Sequence, residues 1–114
     1  MTDEKAELLM VADLFQISGR GLVVMPDFSV PAHWTETQTD ASILLPNGNS
    51  MAARLNLTVT HFNIPDLETP SDLRWRVTPT FPDLTKRDVP IGSRVMIDAN
   101  IADQLLHQGP LTAP

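Results

Sequence analysis

The chain has 114 residues, enough for one domain with a single core, and its 42% hydrophobic and 19% charged content excludes wholesale disorder. It has no cysteine, which excludes disulfides, thiolate zinc sites and cysteine nucleophiles. The net charge of −6 argues against a general nucleic-acid binder, because such binding neutralises phosphates with basic side chains. The acidic start, Met1-Thr2-Asp3-Glu4, lacks the basic and apolar regions of a signal peptide. No stretch approaches the roughly 20 apolar residues that span a bilayer, so the expectation is a cytoplasmic protein with no membrane partner.

Ten prolines imply short elements joined by structured turns, since proline removes a backbone donor. Apolar residues recur with period two more often than 3.6, the strand signal. Leu9 to Ile17 reads as a first strand with Leu9, Val11 and Phe15 on one face. Gly19-Arg20-Gly21 turns the chain into a second strand, Leu22 to Met25, with glycine supplying the positive φ of a tight turn or bulge. Pro26 to Thr39 reads as a loop, and Ala41 to Leu45 as a third strand. Asn47-Gly48 suits a type I′ hairpin into a strand from Met51 to about Phe62, where Leu55, Leu57 and Val59 alternate with polar residues. The alternation slips at His61-Phe62, the mark of a bulge or a strand end.

Asn63 to Asp72 is a proline-bounded loop, after which Leu73, Trp75 and Val77 alternate with Arg74, Arg76 and Thr78. This pattern places Trp75 in the core and both arginines outside. Thr80 to Gly92 is a second proline-rich connection, and Ser93 to Asp98 is the last strand, with Val95 and Ile97 on one face. Ile101 to His107 offers one or two helical turns, stopped by Gly109-Pro110. Short strands separated by turn signals predict an all-β fold, a small antiparallel β-barrel or an open sandwich, in one domain over residues 1–114.

The order of these features carries a resemblance. Val11 to Val24, with Asp13, Phe15 and then Gly19-Arg20-Gly21 before the valine pair, resembles the opening hairpin of the second domain of translational GTPases of the elongation factor Tu type. The Asn-Gly hairpin, its partner strand and Lys86 to Val95 are similar to that domain's closing segment, so the likeness covers about residues 9–98. Met25-Pro26 departs from the threonine and glycine usual there, and Pro26 to Thr39 has no obvious counterpart. The resemblance implies a β-barrel alone. No Gly-x-x-x-x-Gly-Lys-Ser/Thr phosphate loop is present, so GTP hydrolysis is not implied. In the family this barrel helps hold the aminoacyl end of tRNA or the ribosome, beside a G domain.

No constellation of catalytic or metal-ligating spacing emerges. His33, His61 and His107 fall on different elements, Asp66, Glu68 and Asp72 lack the spacing of a calcium loop, and Ser18 has no nucleophile-elbow context. The expectation is a non-catalytic binding module without cofactor or small-molecule substrate. Its partner is a protein, with RNA or the ribosome as the alternative. The candidate contacts are Phe28 and Trp34 as apolar anchors in the Pro26 to Thr39 loop; the competing reading folds that loop back as a plug for one barrel end. A second candidate is an outward face of Arg74, Arg76 and Arg94, suited to an acidic partner or RNA backbone. From a different class, the acidic charge also fits an immunity protein that covers a toxin's basic surface.

Overall fold

The computed structural model describes residues 4–32, 34–61 and 75–106. His33, Asp66, Glu68, Asp72, Arg74 and His107 lie outside them. Eight strands are formed: β1 (Lys5–Met10), β2 (Asp13–Ile17), β3 (Gly21–Met25), β4 (Phe28–Ser29), β5 (Thr37–Leu44), β6 (Ser50–His61), β7 (Trp75–Phe81) and β8 (Arg94–Asp98), followed by helix α1 (Ala99–Leu106). Every pairing is antiparallel, in the order β1-β8-β5-β6-β7-β3-β2, with β4 also on β7. The described residues form a curled half-barrel sheet and one short helix.

The predicted first strand is in fact two. The chain bends at Val11-Ala12: the Val11 N–H donates to Ser93 O at 2.8 Å, prolonging the β1–β8 ladder, while the Ala12 N–H donates to Met25 O at 2.9 Å beside β3. One bent segment therefore supplies both terminal strands of the sheet. The bend also shifts the inward parity. Leu9 and Val11 are buried before it, whereas after it Leu14 turns inward and Phe15 stands 45% exposed. A period-two reading carried straight through the bend puts Phe15 on the wrong face.

The β2–β3 hairpin turns through Ser18 and Gly19, with the Arg20 N–H donating to Ile17 O at 3.0 Å. Gly19 has φ 82°, as the third position of a type II turn requires. At the Asn-Gly hairpin the turn starts one residue earlier than a type I′ loop would. The Gly48 N–H donates to Leu45 O and the Leu45 N–H to Asn49 O, at 2.9 and 2.8 Å. A type I′ turn at Asn47-Gly48 would need Pro46 to close the ladder, and proline has no N–H to give.

The core fills the inside of the curl. Leu22, Val24, Ile43, Leu55, Leu57, Val77, Phe81, Val95 and Ile97 are all essentially inaccessible, as the alternation on β5, β6 and β8 requires. Helix α1 packs across β1, β8 and β4. Asp98 Oδ1 caps it by accepting the N–H groups of Asn100 and Ile101, and the Ala99 N–H donates to Glu4 O. Ala102 and Leu105, three residues apart, carry its buried face. Among the described residues no helix is long and apolar enough to cross a membrane.

Candidate functional site

Within the Pro26 to Thr39 segment, Phe28, Val30 and Trp34 pack back against the core. Phe28 is only 8% exposed, because Phe28 and Ser29 form β4 and pair with Val77 and Arg76 of β7. Phe28 is therefore corrected from surface anchor to core residue. Trp34 sits at a turn, its N–H donating to Pro31 O, and its ring packs against the core with Nε1 buried and without a partner among the described residues. Neither side chain projects as a loop anchor.

Nor do the arginines form one face. Arg76 is partly buried. Its Nη2 lies 3.0 Å from Asp27 Oδ1, and its Nη1 donates to Ser29 Oγ at 3.2 Å, so it ties β7 to the β3–β4 connection. Arg94 lies on β8 and pairs with Glu7 of β1 at 3.0 Å. Strands β5 and β6 separate the two arginines in the sheet. Trp75 is corrected as well. It has the inward parity of Val77 but opens β7 beyond the reach of β4, so it is 49% exposed instead of buried.

A different surface draws functional groups together. On the outward face of the β2–β3 hairpin, Phe15 lies opposite Val23, with Ile17 and Met25 alongside on the same face. Phe15 and Ile17 are 45% and 40% exposed, unusual for large apolar side chains on one short strand. The hairpin joins the body at only two register positions, Leu22 with Phe81 and Val23 with Thr80. Its outward face and the outward face of β6–β7 form the two walls of a cleft of about 440 Å³, with Phe15, Ile17 and Met25 on one side and Thr60 and Thr78 on the other. A second cleft of about 320 Å³ continues past the hairpin tip along Asn56, Thr58 and Thr80, with Glu36 on its border. Arg20 lines both. Its guanidinium has no ion-pair partner among the described residues.

The polar wall is under-satisfied. Four buried side-chain polar atoms lack a hydrogen-bond partner among the described residues. Three of them, Asn56 Oδ1, Thr60 Oγ1 and Thr78 Oγ1, belong to this strip, and Thr78 is only 3% exposed. Buried polar atoms normally find partners, and these three are closed off from solvent behind the surface of the wall. Sequence reasoning missed this wall because threonines and an asparagine alternating with leucines look like the solvated side of a strand. The signal that was present is Phe15 and Ile17 flanking Gln16 beside the glycine turn.

Comparison of the chain with protein-family models, with curated proteins and with solved structures finds no match in any of the three.

Proposed function

We propose that the chain is a non-catalytic binding module whose partner is a protein, engaged at the outward face of the β2–β3 hairpin. The observation that carries this reading is the exposed Phe15 and Ile17 pair on a terminal strand of the sheet, bordering a cleft. The resemblance of residues 9–98 to the second domain of elongation factor Tu type GTPases supports a barrel that holds a partner rather than transforming one. An RNA partner draws less support, because Arg76 and Arg94 are each held by a carboxylate and stand apart.

A second reading, an immunity protein covering a toxin's basic surface, is favoured by the net charge of −6 and by Glu4, Asp40 and Asp98 around one surface hollow. A tagged pull-down from native lysate, with and without nuclease, tests both. One stoichiometric protein that survives nuclease and is lost with Phe15→Asp supports the hairpin reading. Loss only with Asp40→Lys and Asp98→Lys supports the second. Ribosomal proteins that vanish with nuclease would overturn both.

A further inference from the structure

We infer that the groove beneath the β2–β3 hairpin receives an extended polypeptide segment of the partner, apolar along one side and carrying a carboxylate where it meets Arg20; this rests on the protein-binding reading above. Both walls are laid out with the period of an extended chain. Asn56, Thr58 and Thr60 follow one another at alternate positions of β6, spanning roughly 13 Å at the rise of a strand, which matches about five residues of an extended ligand. Facing them, Phe15 and Ile17 alternate on β2, and Val23 and Met25 on β3. A peptide in the groove places alternate side chains against the apolar wall of Phe15, Ile17 and Met25 and runs along the asparagine and threonines of β6.

The charge pattern narrows the ligand further. Arg20 lies where the two clefts meet and has no ion-pair partner among the described residues, which selects for one acidic group. A nucleic-acid strand is disfavoured, because among the described residues Arg20 is the one basic side chain lining the two clefts and Glu36 borders the second.

The test is selection of phage-displayed random dodecapeptides on the purified full chain, followed by fluorescence anisotropy with the enriched sequences made as fluorescein-labelled peptides. The expected sequences alternate apolar and polar residues and include an acid. Phe15→Asp should weaken their binding by about tenfold or more, and Arg20→Gln by about threefold to tenfold. Leu44→Asp on the distant outer face of β5 should leave binding unchanged. Circular dichroism on each variant separates lost binding from lost folding.

Absence of any sequence enriched over the bare support would overturn the inference. So would enriched peptides that bind folded Phe15→Asp and Arg20→Gln as tightly as the parent chain. If a lysate protein binds through Phe15 while the library yields nothing, the protein-binding reading stands and the extended-segment inference falls. If groove-dependent peptides emerge but no lysate protein survives nuclease, the groove inference stands and the parent reading falls.

Discussion

Replacing Gly21 with alanine tests how the candidate groove is built. Gly21 opens β3 with φ 116°, and a Cβ there would lie 2.5 Å from Phe81 O and 2.6 Å from Pro82 Cα. Ordinary contact begins at 3.4 Å, and 3.4 − 2.5 leaves a deficit of 0.9 Å against backbone atoms that cannot swing aside. The left-handed backbone alone costs an alanine about 1–2 kcal/mol. Forcing the hairpin off Phe81, a fully buried side chain, adds about 1–3 kcal/mol of overpacking. Gly19→Ala is the internal control. Gly19 also has positive φ, 82°, but nothing lies within 4 Å of its Cβ position. Both variants share the conformational cost and the reduced freedom of the unfolded chain, so their difference isolates the clash. Urea unfolding followed by circular dichroism and tryptophan fluorescence should place the Gly21→Ala midpoint about 1–2 M below that of Gly19→Ala. Midpoints within about 0.3 M of each other would refute the claim that the hairpin is held hard against the end of β7.

Thr78→Val should raise the stability of the free chain by about 1 kcal/mol in the same urea assay, because it removes a buried hydroxyl that has no partner among the described residues. Asp27→Asn should lower stability by about 1–2 kcal/mol, as it weakens the partly buried clamp on Arg76, and Arg76→Gln should produce a loss that does not add to it in a double-mutant cycle. Leu105→Ala should cost about 2–4 kcal/mol by opening a cavity under α1, read as a lowered thermal midpoint. Asp98→Ala should cost about 1 kcal/mol through the lost helix cap, measured the same way.

What the sequence makes legible is local. Leu55 and Leu57 alternate with polar neighbours over a long run, so the inward face of β6 follows from period two alone, and Val95 with Ile97 is a shorter case of the same rule. Glycine near a bend locates both hairpins. Features fixed by distant partners are not legible. Phe28 is buried because β4 pairs with β7, far along the chain, while its own neighbours are turn-forming prolines and polar residues. The parity of Phe15 depends on a bend held by Ser93 and Met25, and nothing in Val11-Ala12 itself announces it. Trp75 obeys the alternation and still pairs with His61 of β6, yet lies past the end of β4 on its other side, so its exposure depends on where β4 stops. The candidate groove belongs to this second kind. Its threonines acquire meaning only once the hairpin stands over them.

The bend at Val11-Ala12 bears on the order of events during synthesis. Strand β1, at the start of the chain, pairs with β8, near its end. The β2–β3 and β5–β6 hairpins can assemble from neighbouring sequence as soon as they leave the ribosome, whereas β1 must wait, unpaired, until Arg94 to Asp98 emerge. Until then Leu8 and Leu9, buried in the finished sheet, lack the strand that closes over them, and the charged Glu4, Lys5 and Glu7 beside them are of the kind that discourages stray strand pairing.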